Sequence, residues 1–129
     1  MKEQHNFGTA INCIDGRTQQ PVIDYIRQKY AVDIVDMITF PGADAIFSNE
    51  LRNMELSLAK QSASISVEKH KSGIIAIVGH FDCAGNPGDK NYHSMQISKA
   101  VEEISLWKLP AKVIGLYVNE KWQIEEITT

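Results

Sequence analysis

The sequence predicts an α/β fold: a single three-layer domain over residues 1–129, with a mostly parallel sheet in the order 2-1-3-4, an antiparallel edge strand 5, and helices on both faces. Two observations carry this. Strand-like apolar runs alternate along the chain with segments whose apolar residues recur at helical spacing. In addition, Ile74–Ile75–Ala76–Ile77–Val78, bounded by Gly73 and Gly79, is a continuous, largely β-branched run of the kind found in a central parallel strand covered on both faces.

Each element follows from local pattern. The segment 7–14 is short and largely apolar and ends at Asp15–Gly16, as a buried strand entering a loop does. Val22, Ile23, Ile26 and Tyr30 then recur at helical spacing, with Asp24, Arg27, Gln28 and Lys29 on the other side. The β-branched segment 32–40 reads as strand two and is stopped by Pro41–Gly42. A helix is expected over roughly 45–71, with Leu51, Met54 and Leu58 on one face and Gly73 at its C-terminal cap. After strand three, the loop 85–91 precedes a helix over about 93–107 with Ile97, Val101 and Ile104 buried, ended by Leu109–Pro110. The segment 113–118 is strand four, and Asn119–Glu120–Lys121 turns it into 122–127, an antiparallel edge strand.

Composition narrows the partners. Thirteen Lys and Arg against sixteen Asp and Glu leave a net charge of −3, with no basic block to attract nucleic acid or an anionic membrane. Hydrophobic residues at 43% and charged residues at 22% are those of a folded soluble chain. The longest apolar run falls far short of the ~20 residues that span a bilayer. Met1–His5 leads straight into strand one without a signal-peptide core, so a cytoplasmic protein with reduced thiols is expected.

Chemistry concentrates in two loops. In an open α/β sheet, ligands gather beyond the carboxyl ends of the strands, where strand order reverses. If strands one and three are neighbours, the loops Cys13–Arg17 and His80–Cys83 face each other, and both cysteines of the chain meet one histidine. Cys13, His80 and Cys83 then supply two soft thiolates and an imidazole, a set that suits Zn²⁺ with a fourth position open. Taken singly, each has a plainer role: Cys13 as a small buried hydrophobe, His80 as a loop cap. A disulfide or redox pair between Cys13 and Cys83 also competes, though it leaves His80 without a function. Asp15 reads as a helix N-cap and Arg17 as a surface charge. Two residues apart, they can also pair, orienting a carboxylate beside the metal as a proton acceptor.

Cys13–x–Asp15–x–Arg17 followed by His80–x–x–Cys83 resembles the zinc-binding signature of the β-class carbonic anhydrases. The helix from Ser57–Leu58 through Gly73 into Ile74–His80 is similar to the family's helix and strand before its zinc histidine, and Val113–Tyr117 with Trp122–Glu125 is similar to its closing strand pair. The resemblance implies Zn²⁺ on Cys13, His80 and Cys83, with Asp15 and Arg17 as catalytic residues and Gly85 on the substrate side. The implied reaction is attack of zinc-bound hydroxide on CO₂ to give bicarbonate, in a homodimer or higher oligomer whose cleft lies between subunits. Asp15 would accept the water proton or occupy the fourth zinc position. Phe40–Pro41–Gly42–Ala43–Asp44 stands where the family usually has Arg-Asn-Ala-Gly-Asn, and Ala84–Gly85 where Gly-Gly is common. With the first ligand at position 13, the family's helical N-terminal arm is expected to be missing. Hydrolysis of carbonyl sulfide or carbon disulfide, or a fold that retains zinc and binds a small anion or a protein partner without turnover, are the alternatives. His93 is expected to be exposed, with a proton shuttle as its other reading; His5 and His70 read as surface residues, and Trp107 and Trp122 as packing.

Overall fold

Alternating side chains let a strand feed both faces of a sheet, while helical spacing gives each helix one stripe with which to cover it. The computed structural model describes residues 6–128, and His5 lies outside the described residues. Five strands, β1 (Phe7–Asn12), β2 (Ile34–Thr39), β3 (Ile74–His80), β4 (Lys112–Val118) and β5 (Ile124–Ile127), form one sheet in the order β2-β1-β3-β4-β5. All neighbours are parallel except β4 and β5. The expected order and the antiparallel edge strand are both present.

Two cores result, one on each face. Helix α1 (Gly16–Tyr30) lays Val22 and Ile26 over Ala10, Ala76, Val78, Leu116 and Val118. Helices α2 (Asn53–Lys69) and α3 (Lys90–Ser105) cover the other face, where Ala59, Ala63, Val67, Ile97 and Ile104 meet Ile11, Ile75, Ile77 and Tyr117. Every residue of β3 is buried, which is why Ile74–Val78 is continuously apolar rather than alternating. Fully burying Ile75 or Ile77 stabilises the fold by about 1.5–3 kcal/mol each.

The expected helix over 45–71 is different in detail. Short 3-10 turns occupy Ala43–Ala45 and Glu50–Arg52, and α2 begins only at Asn53. Leu51, Met54 and Leu58 do not face the core: they are 95%, 78% and 48% exposed. The buried stripe is Ala59, Ala63, Ser66 and Val67, because small side chains let the helix backbone approach the sheet closely. The left-handed residue after α2 is Lys71, at φ 60°, and not Gly73. Helix α1 starts at Gly16, a turn and a half before its first periodic apolar residue, because Asp15 caps it by accepting from the Arg17 N–H at 2.9 Å. Ile97, Val101 and Ile104 are buried as expected.

Candidate metal centre

β1 and β3 are parallel neighbours, so their carboxyl ends open on the same side of the sheet. The chain leaves β1 through Cys13 and leaves β3 at His80, with Cys83 three residues on. Asn12, fully buried, shapes the first exit: its Oδ1 accepts from the Cys13 N–H at 2.8 Å and its Nδ2 donates to Thr18 Oγ1 of α1 at 3.0 Å. Asp82, at a left-handed φ of 58°, shapes the second.

The Cys13 and Cys83 sulfurs lie 3.9 Å apart. With a His80 ring nitrogen, the three donor atoms fall within 4.8 Å of one another, and all three residues are buried. Two sulfurs about 2.3 Å from a tetrahedral Zn²⁺ stand about 3.8 Å apart, so the spacing fits that ion. His80 Nδ1 donates to the Phe81 carbonyl at 2.7 Å, which leaves Nε2 as the ligating atom. That Nε2 is buried and has no hydrogen-bond partner among the described residues. An unsatisfied buried polar atom costs about 1–3 kcal/mol, a cost that a metal ion here would remove. On these three counts the residues fit a soft divalent metal.

The electrostatics agree with a site built for thiolate. A hydrogen bond from Cys83 is the main reason that the Cys13 thiol falls to about 3, against the opposing effect of burial. Cys83 moves far upward for the complementary reason, its bond to Cys13, with burial adding to it. Gly42, from the loop after β2, donates its N–H to Cys13 Sγ at 3.4 Å. Its φ is 56°, and a Cβ there would stand 2.6 Å from the Gly85 carbonyl carbon, so both geometry and space demand glycine.

Asp15 does not join the metal-ligand group in this structure. Its Oδ2 accepts from Arg17 Nη2 at 2.7 Å and its Oδ1 from Nε at 3.1 Å, a bidentate pair. The Arg17 hydrogen bond holds the Asp15 carboxyl at about 2, well below the usual carboxylate range. Arg17 also reaches the Asp82 carboxylate at 3.3 Å and its carbonyl at 3.2 Å, and it lies 4.5 Å over the Trp122 ring. One guanidinium therefore ties both ligand loops to the β4–β5 turn. A cavity of about 400 Å³ opens beside Cys83, lined by Phe81, Asp82, Lys90, Tyr117 and Glu120 among others. Gly85 lies outside that cavity, packed against Pro41 and Gly42.

The structure corrects one expectation: His93 is not exposed but 0% accessible, paired with the buried Asp44. Asp82, Trp122, Gly42 and Asp44 were not expected at the site. Gly42 and Asp44 lie in the 40–44 segment and Asp82 within the His80–Cys83 loop, both of which the sequence marks, though not the role of these side chains; Trp122 meets the site through a tertiary contact that no local pattern announces.

A family profile described as "Putative carbonic anhydrase" matches residues 3–128. No curated protein sequence matches the chain. Among solved structures, a carbonic anhydrase from Glaciozyma antarctica is similar with TM-score 0.58 and 15% identity, over 93% of this chain and 81% of that one. A β-carbonic anhydrase of Aspergillus fumigatus gives TM-score 0.60 and 12% identity, over 95% of this chain and 76% of that one. Two tetrameric β-carbonic anhydrases from Sordaria macrospora are represented by a match of TM-score 0.59 and 12% identity, over 99% of this chain and 83% of that one. At such identities the structures speak for a shared fold, and the profile match over nearly all of its length speaks for kinship: the chain belongs to this carbonic anhydrase family.

Proposed function

We propose that the chain is a zinc-dependent carbonic anhydrase that reversibly hydrates CO₂ to bicarbonate, with Cys13, His80 and Cys83 holding the ion. One combination carries the reading: a buried Cys₂His group beside a carboxylate clamped by an arginine. Bound there, zinc supplies a Lewis acid that makes water nucleophilic near neutral pH, less strongly than among neutral ligands because two thiolates cancel its charge. The chain supplies the rest. Arg17 keeps Asp15 ionised and oriented, so that its carboxylate can take the proton of the attacking water. Phe81 and Tyr117 give the adjacent cavity apolar walls that admit a linear, uncharged molecule. We read the assembly as a homodimer or higher oligomer, in keeping with the tetrameric Sordaria relatives and with exposed Leu51, Met54, Leu58 and Ile65 on one helix and its approach.

Zinc per chain in wild type and Cys83→Ser is the first test. About one ion is expected in the wild type and little in the variant, since one soft ligand of three is gone. A metal-free wild type purified without chelators would defeat the reading. Stopped-flow CO₂ hydration then compares wild type with Asp15→Asn, expected to lose about 10²–10⁴-fold if the carboxylate is the proton acceptor. A second reading, zinc binding without turnover, is favoured by the segment 40–44, whose one charged side chain, Asp44, is buried and offers nothing to an anionic product. Equal inactivity of both proteins toward CO₂, carbonyl sulfide and carbon disulfide would select it.

A further inference from the structure

His93 and Asp44 are 0% and 1% exposed, yet neither serves the site as a ligand. His93 Nδ1 donates to Asp44 Oδ2 at 2.6 Å, and the buried Asn86 donates its Nδ2 to Asp44 Oδ1 at 2.9 Å. Asn86 Nδ2 also meets Gln96 Oε1 of α3 at 2.5 Å. Both carboxylate oxygens are therefore engaged, while His93 Nε2 is left buried and unpartnered. Holding such a group in the core is expensive, and packing alone does not call for it.

Its position suggests what it does. Asp44 belongs to the turn that follows Gly42, the residue whose N–H meets Cys13 Sγ. Asn86, whose side chain donates to Asp44, lies three residues beyond Cys83. Gly79, next to His80, lies so close that a Cβ there would stand 2.3 Å from Asp44 Oδ2 and 3.1 Å from His93 Nδ1. Asp44 thus sits in the turn whose Gly42 N–H meets Cys13, while its carboxylate lies against Gly79 before His80 and accepts from Asn86 beyond Cys83.

We propose that Asp44, anchored by His93, is the positioning residue of the metal centre: it locks the Gly42 turn, the β3 end and the Asn86 loop together, and so fixes the amides and side chains that face the ion. This rests on the Cys13–His80–Cys83 group binding a metal, but not on any reaction there. A ligand-supporting contact of this kind is usually worth about 10–100-fold in metal affinity.

The experiment measures zinc affinity by chelator competition, and the sulfur-to-metal charge-transfer band of the cobalt(II)-loaded protein, in wild type, His93→Leu, His93→Asn and Asn86→Ala. His93→Leu and Asn86→Ala are expected to bind zinc about 10–100-fold more weakly and to shift the band. His93→Asn, whose amide can replace the Nδ1 donor, is expected to stay within about threefold of wild type. Ile26→Val, in the core on the opposite face, is the control for lost stability alone. Asn86→Ala keeps the test decisive if His93→Leu does not fold, because Asn86 sits at the rim of the core. If the folded variants bind zinc as wild type does, or lose no more affinity than Ile26→Val, the positioning role is wrong. A wild type that takes up neither ion defeats the metal centre itself and this role with it.

Discussion

Gly73 and Gly79 flank the same strand, yet a methyl group would meet quite different surroundings at each. At Gly79 it would collide with the Asp44 carboxylate, and at Gly73 it would meet nothing within 4 Å. Gly79→Ala should therefore cost about 1–3 kcal/mol in urea unfolding, whereas Gly73→Ala should be neutral or stabilise by up to about 1 kcal/mol. A Gly79→Ala midpoint equal to wild type would contradict the packing described. The same residues mark what could be read from sequence. Cys13, His80 and Cys83 were legible because each follows a recognisable strand and the chemistry of two thiols and an imidazole is specific. Asp44 and His93 were not, since they are 49 positions apart and a buried histidine has no local signature. Trp122 reads as packing; its place over Arg17 emerges only when β5 folds back beside β4.

Among the elements, β3 was the plainest in sequence because burial on both faces keeps it apolar from Ile74 to Val78, before the glycine and the candidate ligand His80 at its end. Helix α2 was misleading for the opposite reason: its large apolar residues face outward and its small ones inward. Within the single chain, Leu51→Glu and Met54→Glu should consequently change unfolding free energy by less than about 0.5 kcal/mol, while sedimentation should show the proposed assembly weakened. Ala63→Leu, which forces volume into the stripe facing the sheet, should cost about 1–3 kcal/mol. The edge strand β5 is held differently. Tyr25 and Tyr30 of α1 both donate to Glu126 Oε1, at 2.9 and 2.8 Å. Burial first, and Glu126 second, raise both phenols above their ordinary value. A group held protonated in the fold stabilises fully below its unfolded pKa of about 10 and loses that contribution as pH climbs through its higher folded value. Wild-type stability should therefore decline above about pH 10, more steeply than that of a Tyr25→Phe, Tyr30→Phe double variant. Parallel pH curves for the two proteins would remove this account of the latch.

For the whole molecule, Cys13, His80 and Cys83 sit at one end of the sheet after two adjacent strands, so a metal held there would be coupled to folding. Free zinc at a hundredfold excess over its Kd should stabilise the native state by about 2.7 kcal/mol. For a domain of this size that corresponds to roughly 10 °C in Tm. Calorimetry with and without chelator checks this, and Cys83→Ser should show almost no response. An unchanged wild-type Tm would mean that the group does not hold zinc.

Strand order also sets the timing of assembly. β1 is made early but lies between β2 and β3, and Cys13 must wait for a partner 70 residues downstream. The first strand pair can form as soon as β2 leaves the ribosome, since closing that short loop is cheap. The second depends on a long-range parallel pairing, which is intrinsically slow. A nascent chain ending before His80 carries a single thiol of the set and no means of retaining an ion. A zinc ion held by this group would be captured only by chains that have completed their central sheet, and metal content would then record finished folding.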